Sequence, residues 1–245
     1  MSTIAPELTA VTSSLASTAR QLATLIRFGA TVWVTAPGLE DHARHLAVEF
    51  VHPASVGARA VPAVALVGDS SNVISDLRWL ARAGDVVVSL GDADTHLIGE
   101  LALRSQAWQL THVHVGWSND GGVALDPSTH FVRIGASAEA ERTITRCNHL
   151  LWELIFICFQ NDVVAPRVVG GTSNEADPSA IETRSCAVCA DEAVVAEVQR
   201  TAKSTADVRT ACGPMTIDVS LVDNLGTYDL VLVHAGIAIR RLRAH

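Results

Sequence analysis

A change of hydrophobic period limits this chain more than any other feature. Up to about residue 160, short strands that are apolar along their whole length alternate with helical stretches, and beyond residue 185 only strands remain. A strand apolar on both faces must be covered on both faces, which calls for a parallel sheet with helices on either side. The pattern predicts strands over 30–35, 61–67, 85–90, 112–116 and 130–134, and helices over 1–28, 40–51, 78–83, 95–107 and 137–161. In the first helix Leu8, Val11, Leu15, Ala19, Leu22, Leu25 and Ile26 recur at the spacing of one buried face.

The stretch from Val169 to Ala180 is rich in turn-forming and polar residues and reads as a linker. Strands follow over 193–198, 206–209, 215–221 and 230–233, with turns at Gly213 and at Asn224-Leu225-Gly226, and the last run continues from Tyr228 to Ile239. Short strands closed by tight glycine turns within about 60 residues suit a small OB-like barrel. The expected fold class is therefore α/β: a doubly wound parallel-sheet domain over 1–168, a linker over 169–184, and a small OB-like β-barrel over 185–245.

The net charge of −8 argues against a nucleic-acid groove, and the basic cluster Arg240, Arg241, Arg243 reads as a solvated tail. The longest apolar run, 150–159, is broken by Glu153 and is far short of a membrane span. The opening residues have no basic n-region and no apolar h-region, so no signal peptide and a cytoplasmic location are expected. Five cysteines are an odd number for a disulfide framework, so reduced thiols are expected, with Cys147 and Cys158 as small core residues and Cys212 structural.

Two constellations carry chemistry. His45 and Glu49 lie four apart, so on a helix they share a face and can hold a metal or work as an acid/base pair; the alternative is an ordinary polar helix face. Cys186 and Cys189 open the strand-only part, and His234 lies in its last apolar run. Thiolate with imidazole is a donor set for iron or zinc. A single Cys-x-x-Cys is a weak zinc signal because tetrahedral closure wants four ligands.

The run from Cys186 through Val231-Leu-Val-His234-Ala-Gly236 resembles the HypC/HupF family of chaperones, which assemble the iron centre of nickel–iron hydrogenases. The resemblance spans most of 186–243. It implies that Cys186 and His234 carry an Fe(CN)2CO unit, with Cys189 as an added metal ligand. The implied partners are the iron-assembly protein of the Hyp system and a hydrogenase large-subunit precursor. In that family the cysteine follows the initiator Met, whereas here some 185 residues precede it. That change either disables iron carriage or lets Cys189 replace the lost terminal amine.

Residues 5–160 resemble the sugar isomerase (SIS) fold, nearest to its phosphoheptose isomerase branch. The words that carry this are Phe28-Gly-Ala-Thr-Val-Trp-Val, His42-Ala-Arg-His45-Leu-Ala-Val-Glu49, Asp69-Ser-Ser71 and Gly84-Asp85-Val-Val-Val-Ser89. The resemblance implies a metal ligand and a catalytic carboxylate at His45 and Glu49. Of Arg146, His149 and Glu153 on the late helix, only His149 suits a metal such as zinc. Homo-oligomers through the SIS-like domain are also implied. Pro37, Glu40 and Asp41, and then Asp92 and Asp94, stand where that family has small hydroxyl-bearing phosphate loops. The sequence alone thus ranks a hydrogenase maturation chaperone with a SIS-like scaffold or ligand sensor first, and isomerisation of sedoheptulose 7-phosphate second.

Overall fold

The computed structural model describes residues 4–53, 59–119, 129–135, 139–160 and 193–243. These fall into two compact units, one built from five helices and five strands and the other from five further strands. The expected linker and the first residues of the expected second domain, with Cys186 and Cys189, lie outside the described residues.

The larger unit runs α1 (Ile4–Arg27), β1 (Val32–Thr35), α2 (Glu40–Val51), β2 (Ala63–Leu66), α3 (Ser70–Leu80), β3 (Val86–Asp92), α4 (His96–Trp108), β4 (Thr111–Trp117), β5 (His130–Arg133) and α5 (Ala140–Gln160). Its strands form one sheet in the order β2-β1-β3-β4-β5, parallel throughout. Val86, Val88 and Leu90 of β3 and Val113 and Val115 of β4 share one core with Leu15, Leu22, Leu46, Phe50, Ile144, Leu151 and Ile155. One face is thereby covered by α1, α2 and α5. Strand side chains alternate with period two, so Val87, Ser89, His112 and His114 point to the opposite face, where α4 packs against β4. The apolar-throughout strands of the sequence are explained by this double cover.

One helix differs from its expected span. Residues 78–83 were expected to be helical, but α3 starts eight residues earlier and ends at Leu80. Asp69 supplies the start signal: its Oδ1 accepts the Asn72 N–H at 2.9 Å and the Ser71 hydroxyl at 2.6 Å. Val73, Ile74 and Leu77 are the buried face.

The buried polar residues of the sheet form a network. Ser89 Oγ lies 2.7 Å from His112 Nε2 and 2.9 Å from His114 Nδ1, and Thr129 Oγ1 is 3.3 Å from His112 Nδ1. The spacing His-x-His on one strand puts both rings on one face. Asp85, also buried, ties the N-terminal end of the sheet: it accepts from the Thr31 and Arg82 N–H groups and from Trp33 Nε1 at 2.9–3.0 Å.

At the other end, β3 and β4 approach too closely for side chains. A Cβ on Gly116 would lie 1.8 Å from the Gly91 carbonyl oxygen, and Gly91 itself has φ +111°. Only glycine tolerates both demands.

The smaller unit is a closed barrel, in the order β10-β8-β7-β6-β9, of β6 (Val194–Thr201), β7 (Thr205–Thr210), β8 (Gly213–Asp218), β9 (Leu230–His234) and β10 (Ile237–Leu242). Its interior is filled by small and branched residues including Ala196, Val198, Val208, Ile217, Val231, Val233 and Ala238. The run read as continuing to Ile239 is in fact a hairpin. Ala235 and Gly236, at φ +49° and +80°, form its two-residue turn and pair Ile237 back to His234. β8 also stops at Asp218, three residues short of its expected end, where the Asp218 carboxylate turns back onto the Ser220 N–H.

Burial pushes the two sheet histidines down, His112 to about 3 and His114 to about 4. Both are held neutral, so the unfolded chain binds more protons below its own value of 6.5. Their contribution is whole above about pH 6.5 and drains as pH falls toward 3, roughly 2–4 kcal/mol for each ring. All five tryptophans lie in the larger unit, so tryptophan fluorescence follows its urea unfolding alone. The midpoint should fall steeply between pH 6.5 and 4, and His112→Gln/His114→Gln should flatten that slope.

Candidate functional site

α2 leaves β1 after a tight loop, and its first turn carries Glu40 and Asp41, which suit the positive end of the helix dipole. Ala43, Leu46, Ala47 and Phe50 recur at 3-1-3 spacing and face the core. That face fixes the rotation of the helix, and His42, His45 and Glu49 come to lie along its margin toward α5. On α5 the buried positions Ile144, Cys147, Asn148, Leu151, Trp152 and Ile155 play the same part, and they set Thr145 and His149 along the facing margin.

The two margins meet at Glu49. Its Oε1 lies 2.6 Å from His149 Nδ1 and 3.3 Å from His45 Nε2. The imidazoles stand edge to face, centroids 5.2 Å apart at 86°. Glu49 Oε2 is shielded from solvent and has no hydrogen-bond partner among the described residues. The side chains of His45 and His149 are about half exposed, at 50% and 46%. The site is thus a carboxylate whose one oxygen is held by two open rings while its other oxygen stands uncommitted.

Three ligand atoms, one each from His45, Glu49 and His149, lie within 4.8 Å of one another. Two imidazole nitrogens and a carboxylate oxygen are a donor set that zinc accepts in open, three-ligand sites. The orphaned Oε2 fits the same reading, since a cation would satisfy it. The residues present therefore fit a metal.

The backbone beneath Glu49 is fixed from α5 as well. The last carbonyls of a helix lack intrahelical donors. Here Val48 O accepts from the His52 N–H and Phe50 O from the Val61 N–H, and Glu49 O accepts Trp152 Nε1 at 2.8 Å. A weaker tie of 3.5 Å joins Thr145 Oγ1 and His42 Nδ1.

The structure thus gathers His45, Glu49 and His149. Arg146 and Glu153 are exposed and stay out of the cluster. Cys147 is buried, which pushes its thiol up, and Cys158 is half-buried against the same core; both sit as core residues. His234 ends β9 at the hairpin turn of the smaller unit, while Cys186 and Cys189 lie outside the described residues. Sequence reasoning missed Trp152 as the support of Glu49. It also missed Asn148, buried with neither side-chain amide atom bonded among the described residues. Trp152 has no local signal, because its partner is set by packing across 103 residues.

Among the described residues, no helix is long and apolar enough to cross a membrane. No family model and no curated protein sequence matches the chain. Solved structures do. A phosphoheptose isomerase from Francisella tularensis aligns at a TM-score of 0.54 with 16% identity, over 59% of this chain and 86% of that one. The phosphoheptose isomerase GmhA from Neisseria gonorrhoeae scores 0.46 with 18% identity, over 58% and 85%. HobA from Helicobacter pylori scores 0.45 with 10% identity, over 62% and 82%. Only the first is close enough to argue from, and it supports the SIS-like fold of the larger unit.

Trp152→Phe keeps most of the ring packing and removes the bond to the Glu49 carbonyl. It should cost about 1 kcal/mol, read as a lower urea midpoint of the tryptophan-monitored transition.

Proposed function

We propose that the larger unit is a sugar isomerase of the SIS type, acting at Glu49 on an open-chain aldose–ketose pair. The observation that carries this reading is the divided state of the Glu49 carboxylate. Oε1 is gripped by His149 and His45 while Oε2 is dry and unpartnered. Interconversion of an aldose and a ketose needs one base that takes a proton from the carbon beside the carbonyl and returns it to the neighbouring carbon. The Glu49 carboxylate is the group that would accept that proton and give it back. His45 and His149 fix the direction of the carboxylate, and their exposed edges leave room for a ligand. His45, Glu49 and His149 would also hold a metal such as zinc, which when bound polarises a carbonyl oxygen. The fold shared with a phosphoheptose isomerase supports this reading over the one the sequence alone ranks first.

A second reading rests on the smaller unit. Its strand order, with β10 parallel to β8 and antiparallel to β9, is that of a five-stranded Greek-key barrel of the OB kind. That suits the HypC/HupF-like chaperone role, in which Cys186, assisted by Cys189 and His234, accepts an Fe(CN)2CO unit as cargo. It would take the unit from the Hyp-system iron-assembly protein for a hydrogenase large-subunit precursor.

For the isomerase, conversion of sedoheptulose and of sedoheptulose 7-phosphate is measured with added Zn²⁺. Glu49→Gln should lower kcat by about 10²-fold or more, and His149→Ala should weaken zinc binding at least about tenfold. Undiminished turnover by Glu49→Gln sinks the assignment. For the chaperone, protein purified without oxygen alongside the hydrogenase-assembly proteins should show cyanide and carbonyl infrared bands, and Cys186→Ala should lose them. Bands that persist in that variant remove Cys186 from the role.

A further inference from the structure

Ser89, His112, His114 and Thr129 have no part in the Glu49 site, yet all four are buried and joined in a chain. It runs from Thr129 Oγ1 to His112 Nδ1 at 3.3 Å, from His112 Nε2 to Ser89 Oγ at 2.7 Å, and from Ser89 Oγ to His114 Nδ1 at 2.9 Å. Ser89 lies on β3, both histidines on β4, and Thr129 one residue ahead of β5, so the chain crosses three neighbouring strands. Its far end is His114 Nε2, which is shielded from solvent and has no hydrogen-bond partner among the described residues. That nitrogen sits at the close approach of β3 and β4. A Cβ on Gly116 would lie 2.7 Å from it and 1.8 Å from the Gly91 carbonyl oxygen.

Donors and acceptors in such a chain are set together. Burial holds both rings neutral, and a neutral imidazole has one nitrogen with a proton and one without. Ser89 has a single hydroxyl proton, so it donates to one ring and accepts from the other. Two orders meet these rules, and they run in opposite directions. In one, His114 Nε2 is a bare lone pair beside the Gly91 carbonyl, two acceptors with no proton between them. In the other, Nε2 carries a proton beside an acceptor. Burial disfavours charge on His114, but the Gly91 and Ser89 carbonyls draw a proton to the ring.

We infer that the chain runs in the second order and forms a one-way clasp across the sheet. The Thr129 hydroxyl donates to His112 Nδ1, His112 Nε2–H to Ser89, and the Ser89 hydroxyl to His114 Nδ1, which leaves His114 Nε2–H for the Gly91 carbonyl. The Gly91 end sets the direction of every link. Ser89 is therefore no nucleophile activated by His112, although 2.7 Å separates them, because the nitrogen that His112 turns to it already holds a proton. The clasp does not depend on the isomerase reading.

The test is nitrogen-15 spectroscopy of the histidine-labelled full-length protein, in which a bare ring nitrogen resonates far downfield of one that carries a proton. The two rings stand out as those that stay neutral when the pH is lowered to about 5. Both should show a downfield Nδ1 and an upfield Nε2. A proton on Nδ1 of either ring, or averaged shifts in both, overturns the inference. Thr129→Val then asks which end sets the order. It removes the donor to His112 Nδ1 and leaves Gly91 in place, so both rings should keep the proton on Nε2. A switch of His112 to the Nδ1–H form overturns the assignment of control to the Gly91 end. Should that variant not fold, the wild-type spectrum decides by itself.

Discussion

The larger unit depends on the way β3 and β4 end. Both strands are buried on both faces along most of their length, so every backbone group must pair within the sheet until solvent is reached. The ladder runs without a break from Val86 opposite Thr111 to Asp92 opposite Trp117, and the Gly91–Gly116 approach lets it do so where side chains would hold the strands apart. The chain then turns out through Ala93, whose N–H bonds the Trp117 carbonyl at 2.7 Å. That last rung places Asp92 and Asp94 against Ser118 and Asn119. A side chain larger than hydrogen at residue 116 would unseat these two carboxylates as well as the sheet.

A similar economy governs the α2–α5 seam. The same helix that satisfies the end of α2 also aims the Glu49 carboxylate. Trp152 caps the Glu49 carbonyl while its ring packs on Phe156, at a centroid separation of 4.8 Å. Glu49 is therefore fixed through its main chain by one α5 residue and through its side chain by another three positions earlier. Preorganisation of this kind lets an exposed pair of imidazoles hold a defined geometry without burial of their own.

The strand-and-helix alternation was legible because wholly apolar strands have one structural explanation, and the His45–Glu49 pair because four residues make one turn. His149 is a different case: no local rule joins it to residues a hundred positions earlier, and only likeness to a family pointed there. α3 was cut short because its N-terminal half, Ser70 to Ile74, is weak in apolar period and strong only in its Asp69 cap. The β9–β10 turn was missed because Ala235 is an unusual residue at positive φ, where Asn or Asp before glycine is the ordinary signal. Ser89, His112 and His114 read as ordinary strand residues until the register set them side by side.

The order of strands in the barrel has a consequence for how it is made. β10, the last of the described strands in chain order, is inserted between β8 and β9, which are otherwise not neighbours. Until it arrives the nascent sheet β8-β7-β6-β9 has two bare edges, each a template for pairing with another chain. Those edges stay open until β10 docks. The short Ala235-Gly236 turn narrows that interval, because it delivers β10 directly to its antiparallel partner. A chain cut short before Ile237 would keep both of those edges bare.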